Sequence, residues 1–217
     1  MSDEVPKNCI LCLTDGPQPF SEVRGRCYYH CSNCDLVFLS PDQRPTATEE
    51  VAEYSLHNND PEDLGYRKHL SKLTGPLVEG LAQNALGLDF GCGPGPTISK
   101  MLGEQGYKVA DYDPYFADDS SVLDQTYDFI SCTEAAEHFY NPAKTFDDLA
   151  KLLKPGGRLG LMTQFRPPNS SFADWYYIKE RSHVTFYNER SFSWLAGEQG
   201  WSIRVLKHPI VIFENET

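Results

Sequence analysis

Ten residues constrain this chain more than any others: Leu88-Asp89-Phe90-Gly91-Cys92-Gly93-Pro94-Gly95-Pro96-Thr97. An apolar run of Leu86, Leu88 and Phe90 ends in three glycines spaced two apart, and Ile98, Met101 and Leu102 follow at helical spacing. The pattern predicts a strand, a tight turn and a helix. Glycine at alternate positions lets the chain turn without Cβ clashes and lets a ligand lie against bare main chain. Pro96 suits a first helical turn, where its missing N–H costs nothing. Free amides there, with the positive end of the helix dipole, would hold a carboxylate. A plain turn between strand and helix is the simpler alternative. A dinucleotide fingerprint would place its third glycine one residue later, where this chain has Pro96.

Downstream, the same alternation continues. A helix is expected from Thr97 to Glu104, stopping at Gly106, then a strand from Lys108 to Tyr112 ending at Asp113-Pro114. An acidic residue at that strand end, roughly 20 residues past the glycines, is placed to accept hydrogen bonds from ribose hydroxyls. Asp113 is the first choice and Asp111 the second, with ordinary aspartate–proline turn chemistry as the alternative. Only thirteen residues separate Asp113 from the next strand, Tyr127 to Cys132, too few for a helix, a strand and two loops. After that strand comes Thr133-Glu134-Ala135-Ala136-Glu137-His138-Phe139. Taken as helix, it puts Glu134, Glu137 and His138 on one face at the carboxyl end of the sheet.

Asn141-Pro142 caps a helix with Phe146, Leu149, Leu152 and Leu153 inward; Lys154 to Gly157 ends it, and Arg158 to Thr163 reads as strand. The stretch Phe165 to Tyr177 is aromatic and irregular, either the wall of an acceptor pocket or a hydrophobic flap. A helix from Glu189 to Gly197 precedes a hairpin of Ile203 to Leu206 and Pro209 to Phe213. The string Gly-Glu-Gln-Gly-aromatic occurs at Gly103 to Tyr107 and again at Gly197 to Trp201, which indicates repeated helix exits into one sheet. Before the first strand, Ser40 to Glu50 has the composition of a connecting segment, and Leu70, Leu73, Leu77 and Leu81 predict a helix on the main domain.

Four of the seven cysteines form two pairs, Cys9-x-x-Cys12 and Cys31-x-x-Cys34, separated by a hairpin-length segment. This spacing matches the thiolate cage of a zinc ribbon, whose closed four-sulfur site makes the metal structural. Disulfides would need an oxidising compartment that nothing else in the chain supports. Cys27 and His30 are spare donors nearby, whereas Cys92 and Cys132 read as small buried residues.

The formal charge of -12 argues against a broad phosphate-binding surface, so nucleic acid is an unlikely partner. No apolar run approaches membrane-spanning length and the first residues lack signal-peptide character, so a cytoplasmic protein with no membrane partner is expected.

The sequence Asp89-x-Gly91-x-Gly93-x-Gly95 resembles the first motif of the class I S-adenosylmethionine-dependent methyltransferases. Glu134 to Phe139 after Tyr-Asp-Phe-Ile resembles the fourth-strand motif of members acting on quinones, sugars and polyketides, and Leu153 to Leu159 (LKPGGRL) is another hallmark. The resemblance covers about Ala85 to Thr163. It implies an α/β fold with a Rossmann-like doubly wound sheet, mostly parallel with an antiparallel last strand, preceded by a small zinc ribbon. The corresponding division is residues 1–45 as ribbon, 46–82 as linker and helical lid, and 83–217 as methyltransferase domain. It also implies cofactor contacts from Asp89, Gly91, Cys92, Gly93, Gly95, Asp113, Thr133 and Glu134. Tyr54, His57, Tyr66 and Arg67 would line the site from a lid, and Asp118 or Asp119 would take the place of the family's adenine-side acid. His183, in His-x-x-Phe-Tyr, resembles a motif of zinc-ribbon-bearing C-methyltransferases.

Methyl transfer from a sulfonium is an in-line displacement, so positioning dominates, and an acidic acceptor proton needs a base. His138 and His183 are the candidates, with Glu137 and Glu134 either binding a cationic acceptor or orienting a histidine. A small-molecule acceptor is the preferred reading. The alternatives are an RNA or protein methyltransferase that uses the ribbon for recognition, and a noncatalytic adaptor.

Overall fold

The computed structural model describes residues 5–55 and 59–216. Two sheets meet in it. The larger has six strands: β4 (Leu86–Phe90), β5 (Lys108–Tyr112), β6 (Tyr127–Thr133), β7 (Leu153–Met162), β9 (Trp201–Lys207) and β10 (Ile210–Asn215). Their order is β5-β4-β6-β7-β10-β9. Neighbours from β5 to β7 are parallel, and β10 runs antiparallel to both β7 and β9. The expected mostly parallel sheet with an antiparallel last strand is therefore present. Among the described residues β5 is the edge of this sheet, and Ser120–Asp124 forms a short 3₁₀ turn where a longer connection would add a strand.

Strand residues alternate between two helical layers. Leu70, Leu73 and Leu77 of α2 (Leu64–Val78) and Ile98, Met101 and Leu102 of α3 (Thr97–Gly103) pack on the face bearing Phe129, Met162 and Ile212. Phe146 and Leu149 of α4 (Pro142–Leu152) and Phe192 and Leu195 of α5 (Glu189–Gln199) cover the face bearing Leu88, Ile130, Leu159 and Val211. This is the period of two expected of strands buried on both sides. Among the described residues no helix is long and apolar enough to cross a membrane.

Several boundaries differ from expectation for identifiable reasons. The Asp63 carboxylate accepts from the amides of Gly65 and Tyr66, so α2 starts at Leu64 and ends before Leu81. β7 begins directly at Leu153, because Lys154 to Gly157 bulge out between the pairs Tyr127–Leu153 and Phe129–Arg158. The supposed connector contains a helix, α1 (Ala47–Tyr54), which a capping box between Thr46 and Glu49 nucleates.

The smaller sheet has order β1-β2-β3-β8, with β1 (Gln18–Val23), β2 (Arg26–His30) and β3 (Val37–Leu39) from the ribbon and β8 (Thr185–Phe186) from the far end of the chain. The ribbon thus shares a sheet with the segment that carries His183. Arg26 reinforces this junction. Its guanidinium donates to the carbonyls of Ile178, Glu180, Arg181 and His183 at 2.9–3.3 Å. Asp35 adds a polar lock, accepting from His30, from Arg166 at 3.2 Å and from Asn188 at 2.7 Å.

Candidate functional site

β4 and β6 are neighbours in the sheet, but the chain leaves β4 toward β5 on the opposite side. The crevice at their carboxyl ends is therefore the topological switch point where open α/β sheets bind ligands. A cavity of about 410 Å3 lies there, with Gly91, Asp113, Glu134 and His138 in its wall. The rings of Phe90, Tyr112 and Phe139 make one side apolar.

Gly91 and Gly93 take φ of 76° and 64°, which glycine adopts freely. A Cβ at Gly91 would also stand 2.7 Å from Ala135, and one at Gly95 would stand 2.0 Å from the carbonyl oxygen of Asn59. The loop is bare at Gly91 but covered by its own chain at Gly95. Three of its amides are paired within the protein. Those of Gly91 and Cys92 donate to the Tyr112 carbonyl at 2.8 and 3.2 Å, and that of Gly93 to Asp113 at 3.1 Å.

The loop concentrates negative charge. Asp89 is fully enclosed, and burial pushes its carboxyl up to about 7, although Ser131 donates to it at 2.7 Å; Asp111 and Asp113 add repulsion. Asp111 is likewise raised by burial and accepts from Ser99 at 3.0 Å. Asp113 accepts from the amides of Tyr115 and Phe116 as well as from Gly93, so it braces the turn and lines the cavity at once. Burial, followed by these carboxylates, raises the Cys92 thiol, which stays protonated.

Beyond β6 the expected helix is absent. Glu134 has φ of 48°, and only Ala136–His138 makes a 3₁₀ turn, so Glu134, Glu137 and His138 are not aligned by helical spacing. They are brought together by the tight turn, in which the Glu134 amide donates to Met162 of the adjacent strand at 2.7 Å. Thr133, the last residue of β6, is half-buried beside it. Glu137 is completely buried. Burial and then repulsion from Glu134 hold its carboxyl well above the usual range, against a hydrogen bond from the Tyr177 hydroxyl that lowers it.

His138 and His183 converge on Glu137 from two segments. Their ring centroids are 4.9 Å apart, and His183 Nε2 lies 4.0 Å from Glu137 Oε1 and 3.3 Å from Glu180. Each Nδ1 contacts a backbone carbonyl, Ser182 at 3.0 Å for His138 and Tyr177 at 2.8 Å for His183. A carbonyl can only accept, so both Nδ1 atoms carry hydrogen, and the Nε2 of His183 faces the carboxylates of Glu180 and Glu137. One ligand atom from each of Glu137, His138 and His183 lies within 4.8 Å of the others, a set that could hold a divalent cation.

Among the lid candidates, Tyr54 lines the cavity, 5.0 Å from the His138 ring. Tyr66 sits close enough to Asp89 and Glu134 that burial and then their charges push its hydroxyl up to about 12. Arg67 instead pairs with Glu104 and the Pro61 carbonyl, away from the cavity. His57 lies outside the described residues, and Asp119 caps the 3₁₀ turn through Ser121. Three participants were not foreseen. Glu50 is buried in the cavity wall and accepts from Tyr54 at 3.1 Å and Tyr115 at 2.8 Å. His69 approaches Glu134 at 3.6 Å, and Tyr177 joins Glu137 to Glu134. The capping box Thr46-x-x-Glu49 was the signal for α1 and hence for Glu50.

The four ribbon cysteines also converge, with Cys9 and Cys34 sulfurs 3.6 Å apart and Cys12 and Cys31 3.4 Å apart. A tetrahedral Zn–S distance of about 2.3 Å places sulfurs roughly 3.8 Å apart, so the set suits a tetrahedral thiolate centre. Both knuckles are built alike: the first cysteine amide donates to the residue five ahead, Thr14 or Leu36, and its carbonyl accepts from Leu13 or Asp35. His30 is turned to Asp35, away from the role of spare ligand.

Comparisons with known proteins agree with this geometry. A family profile described as "Methyltransferase domain" matches residues 65–205. A ubiquinone biosynthesis O-methyltransferase from Dechloromonas aromatica is 34% identical over 100 residues, 44% of this chain and 43% of that protein. Its namesake in Photobacterium profundum is 35% identical over 101 residues, 44% and 42% of the two chains. The chain thus matches less than half the length of these relatives. A 1,6-didemethyltoxoflavin N1-methyltransferase from Burkholderia thailandensis, solved with its namesake ligand and S-adenosylhomocysteine, superimposes with a TM-score of 0.52 at 13% identity, covering 92% of this chain and all of that one. An O-methyltransferase family protein of the same organism gives 0.51 at 13% identity, over 81% and 65%. At such identities these structures establish a shared fold. Since the profile covers well over half of the sequence, this chain belongs to the methyltransferase-domain family.

Proposed function

We propose that the protein transfers a methyl group from S-adenosylmethionine to a small-molecule acceptor. The observation that carries this reading is the cavity at the switch point, where bare Gly91, buried Asp113 and His138 share one wall. The cofactor fits the charge of this site. Its sulfonium and ammonium groups are cations, and Glu50, Asp113 and Glu134 line the cavity, with the carboxyls of Asp89 and Asp111 buried behind the loop. The amides of Gly91, Cys92 and Gly93 are paired within the protein, so the cavity carboxylates supply recognition of the cations, and Asp113 keeps acceptor capacity for a ribose hydroxyl. Phe90 and Tyr112 offer flat apolar surface to the base.

The cofactor supplies an electrophilic methyl group; the chain positions the acceptor and takes its proton. His138 and His183 are the candidate proton acceptors beside Glu137, and the carbonyls of Ser182 and Tyr177 fix their ring orientation. A second reading is favoured by the same convergence. Glu137, His138 and His183 would hold a divalent cation that fixes an acceptor oxygen and lowers its pKa, with each Nδ1–H anchored to a carbonyl as metal-binding histidines usually are. We assign the four-cysteine centre to structural zinc, which leaves no open coordination position.

The test is transfer of labelled methyl from S-adenosylmethionine in the presence of a panel of catechols, phenols, amines and β-dicarbonyls. Label in the small-molecule fraction is expected. Label confined to RNA or protein would replace this reading with the macromolecular one, and no transfer to any class would favour the adaptor. Magnesium or manganese added to chelator-treated, zinc-retaining protein separates the two proton-loss routes: restored turnover requires the cation, and unchanged turnover requires the free base.

A further inference from the structure

A second cavity, of about 570 Å3, lies between the ribbon and the Trp175–Arg181 segment and shares no lining residue with the first. Arg24, Arg26, Lys179 and Arg181 border it, against a single acidic residue, Asp174. In a chain whose formal charge is -12, four cations on one concavity are a marked local reversal. They arrive from two segments about 150 residues apart, joined by the pairing of β3 with β8. We propose that this cavity binds the anionic part, a phosphate or carboxylate, of a small-molecule ligand.

The cations divide into two roles. The Nη1 and Nη2 atoms of Arg26 are committed to four backbone carbonyls, so it gives the floor a fixed positive charge with little donor capacity to spare. Arg24 and Lys179 have no carboxylate within ion-pair distance among the described residues, and Arg181 reaches only Glu49, at 3.7 Å. Three exposed cations at the mouth are therefore available to an incoming anion. Opposite them, Trp175, Val23 and Ile178 present apolar surface to the rest of the ligand. A cleft lined by one sign of charge concentrates counter-charged ligand, and paired cations bind phosphate or carboxylate through charge-assisted hydrogen bonds.

The cavity is separated from the methyl-transfer site by little more than one layer of side chains. Trp175 packs 5.0 Å from Tyr177, whose hydroxyl bonds Glu137. Pro45 borders the cavity, and its carbonyl accepts from Tyr140, which lines the cofactor cavity, at 2.7 Å. An anion held here is either the anchoring group of the acceptor or a separate ligand beside it. The first source rests on the methyltransferase reading; the binding itself does not.

The test is titration of the zinc-loaded full chain with inorganic phosphate at constant ionic strength, followed by calorimetry or amide chemical shifts. Saturable millimolar binding is expected, with perturbations at Arg24, Trp175 and Lys179. The double variant Arg24→Ala, Lys179→Ala should weaken it at least tenfold while leaving melting temperature and S-adenosylhomocysteine binding unchanged. Phosphate that competes with the acceptor in the transfer assay identifies the anchoring group; phosphate that does not compete identifies a separate ligand. Binding of phosphate without binding of S-adenosylhomocysteine would defeat the methyltransferase reading alone. No saturable binding, binding unaffected by the double variant, or preferential capture of a short RNA through the same residues would overturn the proposal.

Discussion

Replacing Asp89 with Asn isolates the electrostatic cost of the carboxylate cluster. Asp89 is completely buried between β4 and its neighbours, and burial raises its carboxyl to about 7 in the folded chain. In the unfolded chain it titrates near 3.9. A raised acid favours the fold while it is protonated. That contribution is complete below the unfolded value and is lost as pH rises from about 4 through 7, where the native state must ionise a buried group. The span of about three pH units corresponds to roughly 4 kcal/mol, of which about 2.5–3 kcal/mol falls between pH 5 and pH 8. Asn keeps an oxygen that can accept from Ser131 and does not ionise. The stability difference between Asn and Asp chains should therefore move in favour of Asn by about 2.5–3 kcal/mol between those two pH values. Urea unfolding of both proteins at each pH measures it, and titrating groups that do not interact with Asp89 cancel in the difference. A chain of this size would show a shift of roughly 5–10 °C in relative melting temperature. Parallel pH curves for the two proteins would refute the buried-carboxyl argument.

Other perturbations address the rest of the site. Arg26→Ala strips four carbonyls of their donor and should cost about 2–4 kcal/mol of stability; turnover should fall at least tenfold while S-adenosylhomocysteine affinity is kept, as calorimetry and kinetics would show. His138→Asn or His183→Asn should lower kcat by about 100-fold for whichever ring takes the proton, flattening the acid limb of its pH profile. Elemental analysis should find one zinc in the native chain and none in Cys31→Ser, whose β1–β3 amides should become open to hydrogen exchange; retained protection without metal would argue against structural zinc.

The strands of the larger sheet, α4, α5 and the short connection after β5 were legible because they rest on local periodicity and on chain length. Asn141 and Thr46 show that caps were written as plainly, though the second was missed inside a Pro- and Thr-rich stretch. The site was less legible. Glu134, Glu137 and His138 stand together through a left-handed turn, which helical spacing cannot anticipate. Tyr177 and His183 meet Glu137 only because the ribbon sheet takes in β8, a contact between ends of the chain that no local pattern records. The occupied amides of Gly91, Cys92 and Gly93 likewise depend on where Tyr112 and Asp113 arrive from a neighbouring strand. Sequence can place glycines in a turn, but the partners of their amides are a matter of packing.

The central claim is that the switch-point cavity holds an adenosyl cofactor against Asp113. Calorimetric titration of zinc-loaded protein with S-adenosylhomocysteine tests it most directly. One site of micromolar affinity, weakened at least tenfold by Asp113→Ala, is expected; no heat at millimolar ligand, or binding indifferent to Asp113, would contradict it.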